Sequence, residues 1–351
     1  MKKFISLAFY LFLFLSCSKA TENNNTDNST NNSTENPSSS TKKTYENPVL
    51  NESAPDPTAI RANDGLFYLY GTEDTYNMPI YKSNDMVNWT FLGTAFNDQT
   101  RPHYKDGSDA SLWAPEIRYI KDKYVLFYSL ATWGQHWKST IGYALSDKPE
   151  GPFVPKGYVF DSNEVSVENS IDQFYWEEDG KHYMLWGSFF GLYIMELEVS
   201  DDLTITYKPD TKKQIAGNAY EGVNVWKRDG YYYLFASRGS CCEGVNSTYQ
   251  TVVGRSESLF GPYLNKNGEK MLDNKDEIIL QGTEDFTFRG PGHNSILLED
   301  DANQTWMLYH AYHNGEGGRT IQLDKVKWKD GWPYVSANNT PSTISVAPEI
   351  K

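Results

Sequence analysis

The chain of 351 residues has a formal net charge of −14 and contains 10 Trp, 25 Tyr and 17 Phe. This length allows a large buried core, and so many aromatic residues favour an all-β protein over a helical bundle. The negative charge, without any cluster of lysine or arginine, argues against nucleic acid as a partner and favours a neutral ligand.

Residues 1–17 have the pattern of a bacterial lipoprotein signal. Two lysines precede the apolar run 4–15, which is too short to cross a membrane as a helix. Ser16-Cys17 resembles a lipoprotein processing site, although Phe14 stands where leucine is usual, and a plain signal peptide cut nearby is the alternative. We therefore expect an exported lipoprotein on the outer membrane, periplasmic or cell-surface, with a lipid anchor as its only membrane contact.

Residues 18–44 are almost entirely Asn, Ser, Thr, Glu, Lys and Pro. No apolar run in this segment could offset the entropy lost on ordering it, so we predict a disordered tether. The composition is uniform from residue 45 to the end, with no second linker. Residues 45–351 are therefore predicted to form one domain.

Five short segments of this domain repeat one pattern, with an aromatic residue first, leucine third, an aromatic residue fourth and a small residue sixth. They are 67–72, 124–129, 183–188, 232–237 and 306–311. The first positions lie 57, 59, 49 and 74 residues apart, which is the period of a unit of several strands. Turns such as Asp179-Gly180 and Asp229-Gly230 precede the aromatic strands and are strong hairpin signals. The pattern predicts an all-β, five-bladed β-propeller, with four-stranded blades around a central channel.

Carboxylates recur at one place in this repeat. Asp56, Asp172 and Glu221 each lie eleven residues before the first aromatic of their copy. Trp113 holds that place in the second copy, and His293 lies two residues further back in the fifth. Because equivalent positions of a propeller form a ring, we expect these side chains to meet at one end of the channel.

Three such acids suit hydrolysis of a glycosidic bond with inversion. One carboxylate activates water and one carboxylic acid protonates the leaving oxygen, about 6.5–9.5 Å apart, so that a water fits between them. A third carboxylate raises the pKa of the acid by repulsion. A single aspartate more often only starts a strand or caps a turn, but the shared offset favours the catalytic interpretation.

Five motifs in register with the five repeats resemble those of glycoside hydrolase family 43, a family of five-bladed propellers. They are Ala54-Pro55-Asp56-Pro57, Trp113-Ala114-Pro115-Glu116-Ile117, Ser170-Ile171-Asp172, Tyr220-Glu221-Gly222 and Gly290-Pro291-Gly292-His293-Asn294. The resemblance covers nearly all of the chain from residue 45. It implies that Asp56 is the general base, Glu221 the general acid and Asp172 the residue that tunes and orients the acid.

Within that family, the loop 239–249 with its Cys241-Cys242 pair is similar to that of arabinan endo-1,5-α-L-arabinanases. This implies cleavage of α-L-arabinofuranosyl linkages in plant cell-wall arabinan, in the endo mode. Ala54-Pro55 and Gln173 depart from the arabinanase pattern, so an exo-acting α-L-arabinofuranosidase or β-xylosidase stays open. A non-catalytic surface propeller that only binds glycans is a further alternative, because a fold does not prove activity.

In those relatives the histidine matching His293 ligates a metal, usually calcium, and waters complete the shell. Calcium prefers oxygen ligands, so a single histidine among waters would be weak coordination. The alternative is a histidine that only forms hydrogen bonds in the channel. We expect no organic cofactor.

Trp113 offers a flat face on which a furanose could stack, although a packed blade aromatic is equally compatible with the pattern. Phe189 and Phe190 follow the third aromatic strand and could line a sugar subsite, with the same alternative. Cys241 and Cys242 are adjacent in an exported chain, so they form either a vicinal disulfide or two free thiols.

Overall fold

The computed structural model describes residues 42–351, which fold as the predicted five-bladed propeller. Five antiparallel sheets follow one another along the chain, and the strands of each blade pair largely in chain order from the first strand outward. The first strands of blades 1 to 4 contact one another in order around the central channel. The predicted signal, residues 1–17, and most of the predicted tether, residues 18–44, lie outside the described residues.

Blades 1 and 2 each contain four strands. A short strand, β1 (Thr44–Glu46), precedes them. Blade 1 consists of β2 (Thr58–Arg61), β3 (Phe67–Tyr70), β4 (Pro79–Ser83) and β5 (Thr90–Thr94). Blade 2 consists of β6 (Ser111–Ile120), β7 (Lys123–Ala131), β8 (Thr140–Ser146) and β9 (Val154–Asp161). One turn of α-helix, α1 (Ser162–Val165), leads on to blade 3.

Blades 3 and 5 each carry an additional short strand, and blade 4 has four. Blade 3 consists of β10 (Phe174–Glu178), β11 (Lys181–Trp186), β12 (Leu192–Val199), β13 (Ile205–Tyr207) and β14 (Lys213–Ala216). Blade 4 consists of β15 (Tyr220–Arg228), β16 (Tyr231–Arg238), β17 (Gln250–Ser256) and β18 (Glu277–Leu280). Blade 5 consists of β19 (Phe288–Gly292), β20 (Leu298–Glu299), β21 (Thr305–His313), β22 (Glu316–Lys329) and β23 (Trp332–Tyr334).

A last strand, β24 (Ile344–Val346), follows blade 5. Short 3-10 turns lie between the strands, at His136–Lys138, Pro209–Thr211, Gly244–Asn246 and Met271–Asp273. Within residues 42–351, no helix is both long and apolar enough to cross a membrane.

The hydrophobic core lies between the blades. Five clusters of buried side chains each fill the space between two neighbouring blades, and the fifth joins blade 5 to blade 1. The repeated segments supply the second strand of every blade, and their third-position leucines, such as Leu69 and Leu308, are fully buried. Burial of one such side chain stabilises the fold by about 1.5–3 kcal/mol. The sequence repeat is therefore the repeat of the interblade packing.

Both ends of the domain close the ring at blade 5. β1 pairs antiparallel with β24, and the next residues of the chain reach β22, where the Val49 N–H donates to the Ile321 carbonyl over 2.9 Å. The Asn47 side chain donates to the carbonyls of Leu323 and Ser342. Thr44, the last residue of the predicted tether, is thus already part of the folded domain.

Candidate active site

A left-handed backbone residue lies within or close to the first strand of all five blades. These residues are Asp56, Ala114, Asp172, Gly222 and His293, with φ between 42° and 61°. In blades 2 and 4 the strand pairing also shifts at this point, and in blade 5 it shifts just before it, as in a β-bulge. Such breaks re-aim side chains at the ends of sheets. The shared offset seen in the sequence therefore coincides with this backbone feature at Asp56 and Asp172 and directly precedes it at Trp113 and Glu221.

A cavity of about 540 Å³ lies at the mouth of the channel. The structure brings all the site residues named from the sequence to its wall, namely Asp56, Trp113, Asp172, Phe189, Phe190, Glu221 and His293. Residues far apart in the chain thus share one enclosed space. The two aspartates and the glutamate are buried or nearly so, and their charges interact.

Asp56 lies beside a buried cation. Its Oδ1 is 3.2 Å from Nη1 of Arg319 and 3.3 Å from Nδ1 of His293, and its Oδ2 accepts a hydrogen bond of 2.7 Å from Thr72 Oγ1. Burial acts to raise the pKa of Asp56. The Arg319 guanidinium opposes this effect and holds the pKa of Asp56 well below its usual range. Asp56 is therefore ionised and able to accept a proton.

His310 fixes the backbone of Asp56. The Asp56 N–H donates to His310 Nδ1 over 3.1 Å, so the proton of the neutral ring is assigned to Nε2. Burial lowers the pKa of His310 to about 4, which keeps the ring neutral at ordinary pH. The ring stacks on Tyr249, with centroids 5.6 Å apart and planes within 6°.

Glu221 lies between two hydroxyl donors. Ser188 Oγ donates to Oε2 over 2.6 Å, and Tyr249 Oη donates to Oε1 over 2.7 Å. Burial raises the pKa of Glu221 to about 6, although both hydroxyls oppose the shift, and the charge of Asp56 adds to it. Glu221 can therefore hold a proton at mildly acidic pH and give it up.

Asp172 supports the segment that carries Glu221. Its Oδ2 accepts a hydrogen bond of 3.1 Å from the Gly222 N–H, next to the glutamate. Burial first, and then the charges of Glu221 and Asp56, raise the pKa of Asp172 well above its usual value. Because the two neighbouring carboxyl groups resist ionising together, one proton is retained within the pair.

The small residue at the sixth position of the repeat positions the next blade. In four blades its hydroxyl bonds to a residue of the following blade that lies at or directly beside the left-handed position. The pairs are Thr72 with the Ala114 N–H (2.7 Å), Ser129 with the Asp172 N–H (3.2 Å), Ser188 with the Glu221 carboxylate (2.6 Å) and Ser237 with the His293 N–H (2.7 Å). In blade 5 the sixth residue is Ala311, and the preceding His310 makes the contact instead, to Asp56.

Four residues at or beside the cavity were not identified as site residues from the sequence, namely Tyr249, His310, Arg319 and Trp133. None lies at the repeated offset. Arg319 comes from β22, and Tyr249 ends the loop before β17. Tyr249 fits only because residue 292 is glycine, since a Cβ there would lie 2.3 Å from the tyrosine ring. The small residue at the sixth position of the repeat was visible in the sequence. Its role in orienting the next blade could not be seen there, because it depends on how the blades close into a propeller.

Aromatic side chains and a disulfide form the outer walls of the cavity. Trp113 meets Trp133 edge to face, with centroids 6.1 Å apart, and Trp133 is 78% exposed. Phe190 lies against His136, with ring centroids 5.3 Å apart, and both residues line the cavity. The Cys241-Cys242 pair is joined in a vicinal disulfide and also lines the cavity. These walls offer apolar faces suited to the C–H faces of a sugar.

His293 offers a metal ion one imidazole. Burial lowers its pKa, so the ring is neutral and able to act as a ligand. Within residues 42–351, no group of three or more His, Cys, Asp or Glu side chains is arranged to hold a metal. The donor set therefore fits only a cation whose remaining ligands are mostly waters.

The sequence profile of the glycosyl hydrolases family 43 matches residues 45–333. The chain belongs to this family. Family-43 membership makes it a glycoside hydrolase and agrees with the propeller fold.

Both endo-acting and exo-acting relatives are similar to this family-43 chain. The extracellular endo-α-(1→5)-L-arabinanase 1 of Bacillus subtilis is 32% identical over 296 residues, which are 81% of this chain and 88% of that protein. The extracellular exo-α-(1→5)-L-arabinofuranosidase of Cellvibrio japonicus is 32% identical over 317 residues, 83% of this chain and 88% of its own. The structure of Cellvibrio cellulosa α-L-arabinanase complexed with arabinohexaose has a TM-score of 0.70 at 29% identity, covering 82% of this chain and 96% of that one. The enzyme is thus arabinanase-like.

Proposed function

We propose that this protein is an inverting glycoside hydrolase that cleaves α-L-arabinofuranosyl linkages, acting in the endo mode on 1,5-linked arabinan. The observation that carries the proposal is a single cavity in which the pKa of Asp56 is lowered and that of Glu221 is raised. An acid and a base that act at the same pH need carboxyl pKa values that are shifted in opposite directions. The arabinan-acting relatives support the choice of sugar.

In the proposed reaction, ionised Asp56 takes a proton from a water molecule as that water attacks the anomeric carbon. Glu221 gives its proton to the glycosidic oxygen as the carbon–oxygen bond breaks. Attack from the face opposite the leaving group inverts the anomeric configuration. Asp172 holds the backbone beside Glu221, and because burial raises the pKa of both groups the pair retains a proton. Proton exchange with solvent then restores both groups.

The endo mode is supported by aromatic surface that continues past the acids. Trp133 is part of the cavity wall and yet mostly exposed, so bound sugar units can extend beyond the cleavage point. The exo relative, at the same 32% identity, is the observation that favours the second candidate, an exo-acting arabinofuranosidase. A β-xylosidase is the remaining variant of that candidate.

Product analysis separates these candidates. We expect linear 1,5-arabinan to yield a mixture of oligosaccharides early in the reaction, and aryl arabinofuranosides and xylosides to be poor substrates. Arabinose as the only early product would show the exo mode. Absence of new reducing ends from arabinan would reject the substrate. Proton NMR of the first product should show the inverted anomer, and the retained anomer would contradict the assigned roles.

We also propose a calcium ion in the channel near His293, held by one imidazole nitrogen and by waters. Such an ion would add positive charge near the carboxylates; no step above depends on it. Treatment with a chelator, or the His293→Ala substitution, should lower activity while the melting temperature stays nearly unchanged. Direct metal analysis of the purified protein is the second measurement, and a metal-free, fully active protein would contradict the site.

Export and anchoring are proposed from the N-terminal sequence and from relatives named as extracellular. Cys17 would carry the lipid. Metabolic labelling with a fatty acid should mark the wild-type protein and leave Cys17→Ala unlabelled. Equal labelling of both, or of neither, would contradict the anchor.

A further inference from the structure

We propose that Tyr76 is the platform of an additional sugar subsite outside the cavity, one that binds a furanose unit of a long neutral arabinan chain. This inference rests on the proposed function. Tyr76 is not part of the cavity wall, and its ring is 61% exposed. A large exposed aromatic ring close to a polysaccharide cleft offers apolar surface to the C–H face of a sugar.

One face of the Tyr76 ring is already occupied. The Arg101 guanidinium carbon lies 4.2 Å from the ring centroid, within the range of a cation–π contact. Because one face packs on Arg101, the exposed area belongs mainly to the opposite face and the edges. That face is the one available to a ligand.

Arg101 is itself fixed in place. Its Nη1 and Nη2 donate to the two carboxylate oxygens of Glu73, over 2.6 and 2.8 Å, and Nη2 also donates to the Ala110 carbonyl over 2.7 Å. The guanidinium is almost fully buried, so this two-pronged pair is held firmly. Tyr76 therefore packs on an immobile surface, and little ring entropy is lost when a sugar binds.

The loop that carries Tyr76 continues the catalytic wall. It begins at Thr72, which bonds to Asp56, and the Glu73 N–H and carboxylate bond to the backbone of Leu112, directly before Trp113. Tyr76 is four positions after Thr72, which places their Cα atoms at most about 14 Å apart. A polysaccharide bound across the acids can therefore reach this ring with a unit further along its chain.

The local charges favour a neutral sugar. The positive charge of Arg101 is paired with Glu73, and the loop also carries Asp74, whose carboxylate accepts a hydrogen bond of 2.5 Å from Ser53. With the whole chain at −14, an acidic polysaccharide would be repelled. Uncharged arabinan can stack on the Tyr76 ring and is not repelled by the negative charge of the protein.

The test compares Tyr76→Ala with Tyr76→Phe on two substrates, long linear arabinan and a short arabino-oligosaccharide that fills only the cavity. Tyr76→Ala should raise KM for the long chain about three- to tenfold, with kcat unchanged, and leave the short substrate unaffected. Tyr76→Phe keeps the ring and should behave like wild type. Phe91→Ala is the matched control, because Phe91 is 52% exposed on the outermost strand of the same blade.

A second measurement is independent of turnover. In an inactive Asp56→Asn background, adding Tyr76→Ala should weaken binding of long arabinan by the same factor. Equal losses on long and short substrates, or no loss on either, would overturn the subsite. A wild-type enzyme that does not cleave arabinan at all would instead reject the proposed function, which keeps the two failures distinct.

Discussion

Two carboxyl groups on different sides of the cavity, Asp56 and Glu221, occupy the same position of the sequence repeat, yet their pKa values are shifted in opposite directions. Asp56 and Glu221 share the offset in the repeat, and each accepts a hydrogen bond from a sixth-position hydroxyl, that of Thr72 in the same blade for Asp56 and that of Ser188 in the preceding blade for Glu221. These shared contacts cannot explain why the pKa of one carboxyl group falls while that of the other rises.

The difference comes from residues outside the repeat. Arg319 lies 3.2 Å from Asp56 and stabilises its ionised form, whereas the contacts of Glu221 are the neutral hydroxyls of Ser188 and Tyr249. Desolvation then dominates at Glu221. The fivefold repeat thus sets the positions of the carboxyl groups. Side chains that have no counterpart in the other blades determine which carboxyl group is protonated.

Removal of the Asp56 carboxylate, which lies beside Arg319, should lower the activity more than any other proposed change. Asp56→Asn should lower kcat by about 10²- to 10⁴-fold on every substrate, because no other group accepts the proton of the attacking water. Asparagine tolerates the left-handed backbone at this position, so the melting temperature should stay close to that of wild type. Steady-state kinetics with a thermal melt checks both, and substantial remaining activity would move the base elsewhere.

The effect of replacing Glu221 should depend on the leaving group of the substrate. Glu221→Gln should lose about 10²- to 10⁴-fold on arabinan, whose leaving oxygen needs a proton, and much less on an aryl arabino-oligosaccharide with an acidic phenol. The ratio of the two losses is the measurement. A uniform loss on both substrates would show that Glu221 does not act as the acid, and would remove the contrast with Asp56.

The smallest effect is expected from Tyr249→Phe, which keeps the stack on His310 and removes one hydroxyl. That hydroxyl stabilises ionised Glu221, so its loss should raise the glutamate pKa. The alkaline limb of kcat/KM should move to higher pH by about one unit. Tyr263→Phe is the matched control, because that buried hydroxyl donates to the Leu259 carbonyl within the same blade. A limb that moves to lower pH, or equally in the control, would contradict this reasoning.

The fold was predictable because its core is periodic. Every blade buries the same leucine and aromatic pattern, so the spacing of segments such as 183–188 and 232–237 gave the number of blades, and the offset gave the positions of Asp56, Asp172 and Glu221. Arg319, His310 and Tyr249 could not be predicted in the same way. His310 lies within the fifth copy of the repeat, but the equivalent residues of the other copies are not histidine, and Arg319 and Tyr249 lie outside the repeated segments. The distance of each to the acids depends on the closed propeller.

The paired ends of the domain have a practical consequence. Thr44 and Val346 lie opposite each other in the β1–β24 ribbon, so a short peptide can join them and the chain can be reopened elsewhere. The exposed Asp179-Gly180 hairpin suits the new break, because it lies at the end of β10 away from Asp172. A circular permutant made in this way would keep all five interblade interfaces, and it would place new termini where fusion partners do not obstruct a polymeric substrate.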